Sequence, residues 1–132
     1  MGTGLRLLLD THTLLWALME SPRLSGVARA LLEANENAIV ISAVSAMEIC
    51  LKHRLGKLSV AAPFIRDGIL SLDNFDFEPL AIAFDHASLA GSLAIDHKDP
   101  FDRLLIAQAL VEQIPLISNE ALFDRFGVER IW

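Results

Sequence analysis

The feature that most constrains this chain is an alternation between short apolar or β-rich runs and longer stretches with helical periodicity. The strand-like runs fall at 5–9, 38–42, 77–82, 115–118 and 130–132. Helical patterns lie between them at 13–20, 26–34, 43–55, 63–72, 84–93 and 100–113, with a short one at 121–126. A strand with one wet face alternates apolar and polar residues, whereas Leu7-Leu8-Leu9 and Ile39-Val40-Ile41 do not, so both their faces need cover. Strands of that kind separated by helices form parallel crossovers. The expected fold is α/β: a single three-layer α/β/α sandwich with a mostly parallel, Rossmann-like central sheet. No linker rich in Pro, Gly or Ser, internal repeat or low-complexity segment divides residues 1–132, so one domain is expected.

In such a sheet the helices return antiparallel to the strands, so strand C-termini and helix N-termini share the edge where ligands bind. Four acids map to that edge. Asp10 ends the first strand, Glu48 lies in the early turns after the second, Asp102 opens the long helix before the fourth, and Glu120 follows the fourth. Each also has a plain structural reading. Asp10 and Glu120 suit helix starts, Ser45-x-x-Glu48 matches a capping box, and Asp99-Pro100-Phe101-Asp102 is a near-ideal helix opening with Asp99 as cap. Two acids resist that reading, because Val44, Leu51 and Leu55 share a helical face with Glu48, and Leu105, Ile106 and Ala109 share one with Asp102. A carboxylate on an apolar stripe needs a partner.

Carboxylates gathered beside a core repel one another and lose hydration, and a cation relieves both penalties. An all-oxygen donor set favours Mg²⁺, with Mn²⁺ able to substitute, and a sparse one suits Mg²⁺ that keeps several waters. The histidines at 12, 53, 86 and 97 show no zinc spacing, and the one cysteine, Cys50, cannot build a thiolate site. There is no phosphate-binding glycine loop and no Gly-x-Ser-x-Gly elbow.

A net charge of −6 argues against sequence-independent coating of nucleic acid, though not against a nuclease built around a metal. Lys52, His53, Arg54 and Lys57 form the densest basic stretch, which reads either as substrate contact or as a solvated helix end. Cys50 sits in an apolar run and is expected to be a buried, reduced thiol. The N-terminal MGTGLRLLLDTHTLLW lacks the basic and sustained apolar segments of a secretory leader, Gly2 lacks a myristoylation context, and no apolar run reaches the length of about 20 residues that spans a bilayer. A cytoplasmic protein without membrane partners is expected. The hydrophobic fraction of 53% points to an interface with another chain.

Leu7-Leu8-Leu9-Asp10-Thr11-His12 with Leu15-Trp16, Ile41-Ser42-Ala43-Val44-Ser45 leading to Glu48-Ile49, Lys52-His53, and Gly56-Lys57-Leu58 together resemble PIN domains of the VapC toxin type. The most specific stretch is His97-Lys98-Asp99-Pro100-Phe101-Asp102-Arg103 with Leu105-Ile106-Ala107-Gln108-Ala109, and Phe126-Gly127-Val128 and Ile131-Trp132 extend the resemblance to the last residue. It implies a PIN-like sheet and a Mg²⁺-dependent endoribonuclease that is the toxin of a toxin–antitoxin pair. It also implies a homodimer, an RNA substrate and a cognate antitoxin. By position, Asp10, Glu48 and Asp102 match the three central acids and Glu120 the fourth. Asp99 matches an extra acid that supports them, and Ser118, His12 and Lys52 are candidate supporting or substrate contacts. Three positions depart from the pattern: Met47 stands where Trp is frequent, with an effect expected on packing, Lys98 replaces a frequent Arg, and Ser118-Asn119-Glu120 replaces the usual Thr-x-Asp. Two other readings stay open, a PIN-like interaction module without chemistry and a dehalogenase-type phosphatase with Asp10 as nucleophile. The second wants an Asp at position 12, where this chain has His.

Overall fold

The computed structural model describes residues 4–59, 76–94 and 97–132. Strand β1 (Arg6–Leu9) leads into helix α1 (Thr11–Leu18), followed by α2 (Gly26–Glu33), β2 (Ala38–Ser42) and α3 (Ala43–Arg54). Then come β3 (Phe77–Leu80), α4 (Phe84–Ser92), α5 (Pro100–Glu112), β4 (Leu116–Ile117), a 3₁₀ helix (Ala121–Phe126) and β5 (Arg130–Ile131). The sheet order is β3-β2-β1-β4-β5, and all four pairings are parallel, so the mostly parallel sheet expected is wholly parallel among the described residues. The helix expected at 63–72 lies outside the described residues.

Period-two geometry divides the core between the two faces of the sheet. Leu7, Leu9, Ile39 and Ile41 point to one side, where they meet Leu14 and Leu15 of α1 and Ala28 of α2. Leu8 and Val40 point to the other, against Leu105, Ile106 and Ala109 of α5 and Phe123 and Phe126 of the 3₁₀ helix. Helix α3 serves both sides, with Ile49 in the first cluster and Val44 in the second. Each fully buried leucine or isoleucine contributes about 1.5–3 kcal/mol. The run at 77–82 departs from burial on both faces. β3 is an edge strand with Glu78 and Pro79 exposed, and an edge tolerates a proline that has no N–H to donate.

Local chemistry sets the element boundaries nearest the functional edge. α1 starts two residues earlier than its periodicity predicts, because the Asp10 carboxylate accepts from Thr13 N–H at 2.8 Å and turns the chain directly out of β1. α3 follows β2 without a loop, since Ser42 Oγ accepts from Val44 N–H at 2.9 Å. The N-cap of α3 is therefore Ser42. The Ser45-x-x-Glu48 capping box does not form, because both residues lie inside the helix and are buried there. Cys50 is exposed, which corrects its expected burial: one residue past Ile49 is about 100° further round the helix, away from the core. Met47 is likewise 60% exposed, so its departure from Trp does not act on the described core.

The opening of α5 is built as expected, with Asp99 Oδ1 accepting from Phe101 and Asp102 N–H and Pro100 at the first helical position. Arg103 then ties α5 to the end of α4. Its guanidinium donates to the carbonyls of Ala90 at 2.8 Å, Leu93 at 2.8 Å and His97 at 3.2 Å. Among the described residues, no helix is long and apolar enough to cross a membrane.

Candidate active site

The C-terminal ends of β1, β2 and β4 deliver their following residues to one edge, and a cleft of about 80 Å³ opens there. Asp10, Glu48, Asp102, Glu120 and Asp99 all line it, together with His12 and Lys52. All four acids expected at the ligand-binding edge are thus brought together.

Asp10 is buried at 5% exposure and is held from two sides. Oδ1 caps α1, while Oδ2 accepts from the Ser118 hydroxyl at 2.5 Å. Ser118, fully buried at the end of β4, also accepts from Glu120 N–H at 2.9 Å and so links the first acid to the fourth. Glu120 itself is exposed at the rim and caps the 3₁₀ helix weakly, with Oε1 3.4 Å from Leu122 N.

Glu48 is 4% exposed. Its Oε1 accepts from Thr11 Oγ1 at 2.6 Å, and Thr11 also meets Ser45 Oγ at 3.0 Å. Its Oε2 accepts from Lys52 Nζ at 2.5 Å. Burial works against the Lys52 ammonium, but the hydrogen bond to Glu48 and the charges of Glu48, Asp99 and Asp102 outweigh it and hold the pKa above the ordinary lysine value. Lys52 therefore faces the acids, while Arg54 and Lys57 of the same basic stretch are exposed. The solvated-end reading holds for those two and fails for Lys52.

Asp102 lies in the first turn of α5, and its Oδ2 sits 3.0 Å from His97 Nε2. Its carboxyl pKa is pushed up to about 6, chiefly by burial, with repulsion from Asp99 and Glu48 adding to the rise and the His97 hydrogen bond opposing it. A cation bound in the cleft would remove that penalty. Among the described residues no three of the His, Cys, Asp and Glu side chains are drawn close enough to cage an ion as they lie. The donor set nevertheless fits Mg²⁺, which commonly takes one or two carboxylates and fills its remaining positions with water.

His12 is exposed at the mouth, its ring centroid 5.9 Å from that of Trp16, which in turn lies 5.7 Å from Trp132. Thr11 and His97, present in the sequence motifs but given no site role there, complete the site. A buried hydroxyl next to Asp10 was the one available signal for Thr11. The partnership of His97 with Asp102 spans a loop and leaves no periodic trace.

No curated protein matches the chain. Among solved structures, VapBC2 from Rickettsia felis bound to a DNA fragment from its promoter is similar over 96% of this chain and 98% of that one, with a TM-score of 0.68 at 18% identity. FitAcB from Neisseria gonorrhoeae is similar over 96% of both chains, with a TM-score of 0.65 at 19% identity. A toxin–antitoxin complex from Klebsiella pneumoniae matches over 95% of each, with a TM-score of 0.65 at 21% identity. These likenesses establish a shared fold. The model of the PIN domain matches residues 7–129. With its parallel sheet and an acid-lined cleft at the strand C-termini, the chain belongs to the PIN domain family.

Proposed function

We propose that this PIN domain, spanning residues 1–132, is a Mg²⁺-dependent endoribonuclease of the VapC type, the toxin of a toxin–antitoxin pair. The observation that carries the reading is the convergence of Asp10, Glu48, Asp102 and Glu120, with Asp99 beside them, in one cleft where Lys52 is the only lining Lys or Arg among the described residues. So dense a group of carboxylates cannot approach a phosphodiester without a cation between them. PIN domains are generally nucleases, and the solved toxin–antitoxin complexes share the fold.

In this reading Asp10 and Asp102, assisted by Glu48, would hold the ion, and Glu120, exposed at the rim, would orient a water or a second ion. When bound, Mg²⁺ lowers the pKa of an attacking water and neutralises charge growing on the scissile phosphate. The protein's part is orientation. Thr13 N–H and Ser118 fix Asp10, Thr11 fixes Glu48, and His97 fixes Asp102. Asp99, whose carboxylate is taken up in capping α5, supports Asp102 without joining it.

A homodimer and a cognate antitoxin complete the proposal, in a cytoplasmic setting. Exposed Met47, Leu55 and Phe84 provide apolar surface for such contacts, and a basic antitoxin tail would complement the acidic cleft. The test is incubation of purified protein with structured RNA in Mg²⁺ or Mn²⁺, with EDTA as control. Internal cleavage that EDTA abolishes is expected, and intact RNA in both metals, or cleavage indifferent to EDTA, contradicts the proposal.

A further inference from the structure

Glu48 differs from the other acids of the cleft in what neutralises it. Asp10 is held by a backbone N–H and a hydroxyl, and Asp102 by an imidazole, but Glu48 is paired with a full ammonium at 2.5 Å. The pair is placed by the helix, since Glu48 and Lys52 are four residues apart with the acid nearer the N-terminus, the favourable order. The two ends of the pair are unlike. The carboxylate is buried and fixed by Thr11, whereas the Lys52 side chain is 37% exposed on a flexible four-carbon stem. A buried carboxylate is costly when unpaired, so Lys52 keeps the site assembled in the metal-free protein. It does so by engaging Oε2 of Glu48 while Oε1 accepts from Thr11, so both carboxylate oxygens are already taken.

We propose that Lys52 is an exchangeable stand-in for the divalent ion: its ammonium neutralises Glu48 in the metal-free protein and is released toward the cleft mouth when an ion is taken up. This rests on the metal-dependent reading above and adds a competition between lysine and ion that the reading does not require. A divalent ion and the Lys52 ammonium repel each other at close range, and both oxygens of Glu48 are already engaged, so uptake of the ion competes with the pair at Glu48. Once released, Lys52 is the lining cation positioned to meet an RNA phosphate.

The experiment is calorimetric titration of Mn²⁺ into the EDTA-stripped, dialysed full chain, comparing wild type with Lys52→Met and Lys52→Arg. Lys52→Met, which keeps the stem and removes the charge, is expected to bind Mn²⁺ about ten-fold tighter than wild type. Lys52→Arg is expected to bind no tighter than wild type. A second readout needs no variant: acetylation of Lys52 in the wild type, followed by mass spectrometry, should rise when Mn²⁺ is saturating, while exposed Lys57 stays unchanged. Mn²⁺ uptake by Lys52→Met equal to or weaker than wild type, or Lys52 acetylation indifferent to Mn²⁺, overturns the exchange and leaves the metal-dependent reading standing. No uptake by wild type or Lys52→Met overturns both.

Discussion

At the scale of single residues, cap and ligand are not exclusive descriptions. Asp10 is the N-cap of α1 through Oδ1 and still lines the cleft, with Oδ2 turned to Ser118. The plain structural reading of Asp10 from sequence was therefore true without competing with the functional one. Ser118 carries more than its size suggests, because its hydroxyl donates to Asp10 and accepts from Glu120 N–H. Ser118→Ala removes both contacts in a fully buried position, so a stability loss of about 1–3 kcal/mol is expected by urea denaturation, with RNA cleavage falling further than stability accounts for. Unchanged stability and cleavage contradict that role. Asp102 gives a pH signature. Its folded-state pKa of about 6 stands above the ordinary 3.8, so the metal-free fold binds this proton more tightly than the unfolded chain does. The resulting stabilisation is full below about 3.8 and is lost as pH rises through about 6. In EDTA, wild type should therefore lose stability relative to Asp102→Asn across that window, and a constant difference between the two denaturation midpoints contradicts the assignment.

At the scale of elements, legibility followed the strength of the periodic signal. β1 and β2 were readable because Leu7-Leu8-Leu9 and Ile39-Val40-Ile41 are apolar throughout, and their parallel pairing follows from the helices between them. The run at 77–82 differs in carrying Glu78 and Pro79, a local hint of an edge, but the edge position itself depends on strand order. The capping box at Ser45 failed for a related reason. Ser42 and Ser45 are equivalent hydroxyls in sequence, and only the length of β2 decides which one meets the first turn of α3. The acids were legible because each stands at a strand-to-helix junction or in an early helical turn. Thr11 and His97 were not, since hydrogen bonds between α1 and α3, or from a loop to α5, depend on how the elements pack. Arg103 illustrates the long reach of one side chain at this scale. A planar guanidinium satisfies carbonyls of Ala90, Leu93 and His97 together, which a lysine ammonium cannot match in geometry. Arg103→Lys is expected to cost about 1–3 kcal/mol in thermal or urea unfolding. It should also weaken Mn²⁺ binding by loosening the loop that brings His97 to Asp102. Wild-type stability and Mn²⁺ affinity in this variant contradict the coupling.

At the scale of the whole molecule, an acidic chain of net charge −6 is proposed to act on a polyanion, and the two facts are reconciled at one edge of the sheet. The parallel order β3-β2-β1-β4-β5 puts the ends of β1, β2 and β4 beside the opening of α5, so acids far apart in sequence share a cleft whose negative charge selects a cation first and a phosphate only through it. Acidity elsewhere disfavours indiscriminate binding, so on the proposed function affinity for RNA would rest on the ion-occupied site and on nearby cations such as Lys52. The most direct measurement is the single-turnover rate of RNA cleavage in saturating Mg²⁺ for wild type and Asp10→Asn, with folding of both verified by circular dichroism. Asn keeps the shape of Asp10 and an oxygen for the α1 cap, but it loses the charge. The account predicts metal-dependent cleavage by wild type and a rate at least about 100-fold lower for Asp10→Asn. Equal rates for the two folded proteins would contradict it.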